Sequence, residues 1–205
     1  MKKRIFLVVC YTLCLTVTVC SAQSLPSSEG HPWKFRSDNY LGLSSGAWGD
    51  AGLIQTINGL YKGPWFVGLG AGLDNYRFLS VPLFVSLTRD LPVFSKRSGL
   101  SVELDGGSNL PWYTRPTSYD DGFVSSKFYP GPWWSASLDY KWKLSSHTGK
   151  ALLFSAGYSV KKLREDQVAP SASTCQGIGG CPLTLETYVY KYLNRTLLFR
   201  IGFQF

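Results

Sequence analysis

Apolar side chains recur at every second position through most of this chain, the period of an extended strand with one greasy face. The clearest run closes the sequence: Leu197, Phe199, Ile201, Phe203 and Phe205 alternate with Arg200, Gly202 and Gln204. The middle repeats the pattern. Trp65, Val67, Leu69, Ala71 and Leu73 oppose Phe66, Gly68, Gly70, Gly72 and Asp74, and then Val81, Leu83, Val85 and Leu87 oppose Pro82, Phe84, Ser86 and Thr88. Further on, Trp134, Ala136, Leu138, Tyr140 and Trp142 oppose Ser135, Ser137, Asp139, Lys141 and Lys143. Proline in the 79–88 run demands a bulge or a rim position, because it cannot donate to a ladder.

Eight strands are predicted: Tyr40 to Trp48, Gly52 to Tyr61, Trp65 to Asp74, Leu79 to Thr88, Gly99 to Asp105, Trp133 to Lys143, Lys150 to Lys161 and Leu185 to Phe205. In the second, Leu53 and Ile57 share one side and Thr56 and Asn58 the other. The fifth puts Leu100, Val102 and Leu104 outside, and the seventh sends Leu152, Phe154, Ala156, Tyr158 and Val160 outward. Gly106 to Gly131 and Lys162 to Thr184 lose the alternation and read as two long loops. An even strand number returns both ends to one side. With that side periplasmic, both long connections are extracellular, the usual asymmetry of outer-membrane barrels. No helical period of consequence competes, and closed barrels are one of two ways to satisfy backbone groups in lipid.

The fold class expected is therefore all-β, an eight-stranded antiparallel up-and-down transmembrane barrel over 39–205. A soluble lipocalin-like barrel is the rival, with its apolar face inside. Two features favour the membrane form. The small Gly/Ser-rich face suits a narrow lumen, and Trp65, Trp134, Trp142, Tyr158, Phe203 and Phe205 sit near strand ends as an aromatic girdle would.

The N-terminus supplies an address. Met1-Lys2-Lys3-Arg4, the short apolar run Ile5 to Val19 and Cys20-Ser21-Ala22 predict a signal peptide over 1–22. Processing as a lipoprotein at Cys20 is the alternative, weakened by Val19 where a small residue is expected. Residues 23–38 read as a flexible lead-in. The 21 basic and 13 acidic residues give a net charge of +8, of which Lys2, Lys3 and Arg4 contribute three. The basic residues form no stripe or nucleic-acid motif, which sets nucleic acid aside as a partner. Beyond the leader only Cys175 and Cys181 remain. An even, closely spaced pair in an exported chain favours a disulfide, whereas two thiols without nearby histidines make a poor zinc site. No metal or cofactor is called for.

Residues 39–205 resemble the small outer-membrane β-barrel proteins of Gram-negative bacteria, the eight-stranded porin-like or opacity-protein-like family. The resemblance rests on the Gly-rich run Val67 to Leu73, on Val81-Pro82-Leu83-Phe84-Val85, and above all on Phe199-Arg200-Ile201-Gly202-Phe203-Gln204-Phe205. It implies residence in the outer membrane, contact with its lipid and lipopolysaccharide, and insertion by the barrel-assembly machinery. Phe199, Ile201, Phe203 and Phe205 would form the assembly signal that this machinery reads. The resemblance fixes no single activity.

Glu103, Asp105, Asp139, Lys141, Lys143, Lys161 and Arg200 all fall on the predicted inner face. Charges in a narrow lumen must be paired, which predicts a salt-bridged plug. An ion or small-solute path is the alternative, although eight strands leave a bore that side chains fill. Catalysis on outer-leaflet lipid would need a nucleophile and a base. Only His31 and His147 are present, one in the lead-in and one in a predicted periplasmic turn, so an enzyme is disfavoured. The first long loop carries Trp112, Tyr113, Tyr119, Phe123, Phe128 and Tyr129. These aromatics either cap the barrel mouth or form a contact surface for a partner. The expected function is a structural or surface-interaction role rather than a wide pore.

Overall fold

The computed structural model describes residues 32–76, 78–92, 97–113, 118–119, 122–123, 125–144, 149–171 and 184–205. The strands are β1 (Lys34–Gly46), β2 (Gly49–Lys62), β3 (Trp65–Asp74), β4 (Leu79–Asp90), β5 (Ser98–Tyr113), β6 (Ser118–Tyr119), β7 (Gly122–Phe123), β8 (Ser125–Tyr129), β9 (Gly131–Lys143), β10 (Ala151–Ser171) and β11 (Thr184–Gln204). Eight of them close a barrel in the order β11-β1-β2-β3-β4-β5-β9-β10, sealed by β10 against β11. Every pairing is antiparallel. Short β8 continues the line of β9 along β10, while β6 and β7 form a small separate ladder. The predicted leader, His31, His147 and the cysteine pair lie outside the described residues.

Alternation carries the partition of side chains. Leu41, Leu43, Ile54, Val67, Leu69, Val85, Leu104, Leu138, Phe199 and Ile201 are exposed on the outer face, while serines, carboxylates and Arg200 are buried within. This is an inside-out distribution, and it makes the outer face a surface for lipid. On β10 the apolar outer residues run from Leu152 to Val160 and on β11 from Leu197 to Phe205, about nine residues each. A tilted strand needs roughly 9–11 to cross a bilayer. Trp33, Trp65, Trp142 and Phe205 mark the rim where β1 begins and β11 ends, here the near rim, and Trp48, Trp134 and Tyr158 mark the far rim.

The chain departs from the sequence expectation in three places. Lys34 to Asp38, read as lead-in, belong to β1, and Arg36 and Asp38 are buried. Their polar character hid them, because an inner-facing residue of a charged lumen looks like loop in sequence. In β2 the apolar pair Leu53 and Ile57 faces inward, and Thr56 and Asn58 face out, with Asn58 Nδ2 donating to Thr56 Oγ1 at 3.3 Å. Glycine makes room for this, since a Cβ on Gly68 of the adjacent β3 would stand 2.9 Å from Ile57 Cγ2. Finally, the described parts of the two stretches read as loops are largely ladder: β5 reaches Tyr113 and β10 reaches Ser171. Above the lipid both faces of a strand meet water, so the apolar alternation that betrays a strand is absent there.

Pro82 sits where it does least harm. The β3–β4 ladder runs from Trp65↔Arg89 to Ala71↔Leu83 and resumes only at Asp74↔Ser80, so the missing N–H falls in a gap. The β4–β5 register also shifts between Leu79 and Ser80. Gly70 serves packing: a Cβ there would lie 2.2 Å from the Phe84 ring, so bare backbone is what lets that ring cross the lumen.

The seam between first and last strands is made at its end by Phe205. Its carbonyl accepts from Ser37 N at 2.8 Å and its amide donates to Ser37 O at 3.0 Å, and its ring lies 6.1 Å from that of Phe203. Deleting Phe205 removes two seam hydrogen bonds and an apolar ring, a loss of about 2 kcal/mol or more. Phe203→Leu keeps the pairing Asn39↔Phe203. The deletion should therefore lower the fraction of chain that inserts and migrates as a folded, heat-modifiable band far more than Phe203→Leu does. Equal folded fractions would remove Phe205 from the assembly signal.

Candidate functional site

The lumen is filled in layers. At the near rim Arg36 donates from Nε to Asp38 Oδ1 at 3.0 Å and lies 4.4 Å over the Phe66 ring, while Lys141 bridges to Asp90. The strands bring these together because every second residue of β1, β4 and β9 points inward.

Arg200 occupies the centre with its side chain wholly inaccessible. Nη2 donates to Glu103 Oε1 at 2.7 Å and to Ser137 Oγ at 2.7 Å, Nη1 donates to Gln55 Oε1 at 2.9 Å, and Nε donates to Ser155 Oγ at 3.2 Å. Its partners stand on β5, β9, β2 and β10, so one guanidinium from β11 ties four other strands across the bore. Asp139 and Asp105 approach more distantly, at 3.9 and 4.0 Å. The Tyr40 ring lies under the guanidinium at 4.5 Å, and its hydroxyl donates to Glu103 Oε2 at 3.4 Å. Three carboxylates thus share one central cation. Satisfying the remaining lone pairs strengthens such a cluster: Ser135 Oγ donates to Asp105 Oδ2 at 2.7 Å, whereas Asp105 Oδ1 and Asp139 Oδ2 are left without a partner.

Toward the far rim the filling turns aromatic. Phe84 and Trp133 meet edge-on at 4.8 Å, and Trp133 Nε1 donates to Ser159 Oγ at 2.7 Å. Lys161 bridges to Asp74, whose Oδ1 also accepts from Tyr76 N at 2.7 Å. Above them Phe78 packs on Phe128 at 4.5 Å. Beyond the mouth, β10 and β11 rise as a ladder of pairs up to Ser171↔Thr184. Its even-numbered β11 face, the one that buries Asn194 and Thr196 below, carries Tyr188, Tyr190 and Tyr192. Tyr190 and Tyr192 stack at 6.2 Å, and Tyr192 hydroxyl donates to Glu165 Oε2 at 3.1 Å.

Of the predicted lumen charges, Glu103, Asp105, Asp139 and Arg200 meet at the centre, Lys141 lies toward the near rim and Lys161 toward the far rim. Lys143 is exposed at the near rim. Sequence reasoning missed Arg36, Asp38, Asp74 and Asp90 as ion-pair members and Tyr40 and Gln55 as partners of Arg200. The signal for Arg36 and Asp38 was their even spacing with Tyr40. Among the aromatics assigned to the first loop, Trp112 and Tyr113 end β5, Tyr119 and Phe123 fall in β6 and β7, and Phe128 and Tyr129 end β8. Phe128 packs against Phe78, while Tyr129 lies against Arg164 at 4.9 Å on the outside. Among the described residues no group of three or more His, Cys, Asp or Glu side chains is placed to hold a metal ion.

No family model matches the sequence, and no curated protein does. Solved structures do resemble the fold. The crystal structure of the outer membrane protein OprG from Pseudomonas aeruginosa is 10% identical, with 87% of this chain and 98% of that one covered at a TM-score of 0.48. The solid-state NMR structure of the outer membrane protein AlkL in DMPC lipid bilayers is 13% identical, with 90% and 95% covered at a TM-score of 0.45.

Proposed function

We propose that this chain is an integral outer-membrane barrel, plugged along its axis, that works at its extracellular face as a surface-interaction protein. The observation that carries the reading is the complete burial of Arg200 among partners from four other strands, which supports a centre of the bore blocked to all but the smallest solutes. What remains for function is the wall above the mouth, where Tyr188 and Tyr190 are exposed. Tyrosine faces of this kind suit a ligand or partner with planar or apolar surfaces and hydroxyls, because the ring offers contact area and the OH a polar handle. Its biogenesis through the barrel-assembly machinery belongs to the same reading.

Planar-bilayer recording tests the plug: purified, folded protein should give no discrete conductance steps. A narrow solute path is the second reading, and one observation favours it. Ser86 Oγ, Thr88 Oγ1, Ser101 Oγ, Asp105 Oδ1 and Asp139 Oδ2, all on the adjoining strands β4, β5 and β9, are buried without a hydrogen-bond partner. Polar atoms left so are costly unless water or ions reach them. Reproducible single-channel steps from the unaltered protein would replace the first reading with this second one.

A further inference from the structure

The positive charges of the described residues fall into three groups. Lys34, Lys62, Arg89, Arg97, Lys143 and Lys150 ring the near rim, and Arg36, Lys141, Lys161 and Arg200 lie in the lumen. The other five, Lys127, Lys162, Arg164, Lys191 and Arg195, are exposed on one sector of the outer face, on β8, β10 and β11. The register packs them closely: Arg164 pairs with Lys191, Lys127 with Asp166, and Arg195 with Val160 two positions from Lys162. One acid, Asp166, accompanies them, and Arg164 already holds it at 2.9 Å, which draws its carboxyl below the ordinary range. Asp166 thus answers Arg164, whereas Lys162, Lys191 and Arg195 stand opposite Leu193, Arg164 and Val160 and face no acid across the β10–β11 ladder, an arrangement of like charges that an external anion would relieve.

The ladder is also interrupted there, while the strands stay in close contact. β8 pairs with β10 at Arg164–Val168 and β9 pairs with it at Ala151–Lys161, leaving Lys162 and Leu163 between the two. Pro130 and Pro132 cannot donate to the ladder, and Gly131 lies so near that a Cβ would stand 1.9 Å from Lys162 O. The result is a cleft of about 350 Å³ lined by Lys162, Arg164, Lys191, Leu193 and the two prolines. One step toward the membrane the outer face exposes Trp134, Tyr158 and Leu197, with Trp134 and Tyr158 in ring contact at 6.3 Å.

From an apolar cleft rimmed by cations and joined directly to a lipid-facing belt, we infer a binding site for the phosphate groups of an outer-leaflet lipid that carries more than one phosphate, such as the lipid portion of lipopolysaccharide. Lysine and arginine meet the phosphates while Trp134, Leu193 and Leu197, all exposed, meet the acyl chains. A soluble anion would use the first half of this site only.

Native mass spectrometry of the folded, detergent-solubilised protein titrated with bis-phosphorylated lipid A tests the assignment. Lys162→Gln with Lys191→Gln should weaken binding about tenfold or more, since a charge-assisted contact commonly carries that much. Lys34→Gln with Lys150→Gln, at the near rim, should leave it unchanged. Lys162 and Lys191 stand on the outer face and Lys34 and Lys150 are exposed at the near rim, and heat-modifiable migration verifies that each variant is folded. Equal affinity of the Lys162/Lys191 variant, equal binding of dephosphorylated lipid A, or displacement by millimolar inorganic phosphate would each overturn the lipid site.

Discussion

Arg200→Leu is expected to cost about 3–5 kcal/mol, the usual consequence of removing one member of a buried ion cluster. The side chain is completely enclosed and supplies hydrogen bonds to Gln55, Glu103, Ser137 and Ser155. Leucine would leave Glu103, Asp105 and Asp139 facing one another with no central cation. Urea titration of protein folded into lipid vesicles, read by the mobility difference between folded and unfolded bands, measures the loss. Adding Glu103→Gln to Arg200→Leu should recover part of it, because the carboxylate in direct contact is then neutral and fewer charges stand unpaired. If Arg200→Leu unfolds at the urea concentration of the parent, the cluster does not hold the barrel together.

The second large effect belongs to Trp133. Its ring is buried against Phe84, and its indole N–H is bound by Ser159. Trp133→Ala should cost about 3–5 kcal/mol by transfer and cavity terms together. It should also act on permeability, because this aromatic layer stands in the bore between the central cluster and the mouth. Trp133→Ala combined with Phe84→Ala is expected to raise the leak of small ions from reconstituted vesicles above that of the unaltered protein, while Arg200 still blocks larger solutes. A pair of alanines that leaves both unfolding and leak untouched would show that the layer contributes neither stability nor closure.

The belt and lumen were legible in sequence wherever lipid and bore make opposite demands on neighbouring residues. Leu197 to Phe205 and Trp133 to Lys143 are such cases, and there the period of two survives intact. Legibility failed where those demands relax. Above the far rim β5, β8, β10 and β11 continue as ladders with water on both sides, so Trp112 and Phe128 looked like loop residues. At the near end Arg36 and Asp38 looked like a solvated lead-in, because their partner aromatic, Phe66, is thirty residues away in sequence. The central site was half visible. Parity alone placed Glu103, Asp139 and Arg200 on one face, but which carboxylate takes the direct bond depends on shear between strands, and Gln55 and Tyr40 carry no charge to draw attention to them.

The tie made by Arg200 also sets an order of events during biogenesis. Its cation arrives on β11, the last strand to be synthesised and the one that completes both seams, with β1 and with β10. Until then the acids on β5 and β9 have no central counter-charge and are better off in an open, hydrated sheet than in a closed cylinder. Neutralising the interior and closing the circle are thus a single step, and a chain stopped short of Thr184 would gain nothing by curling up early.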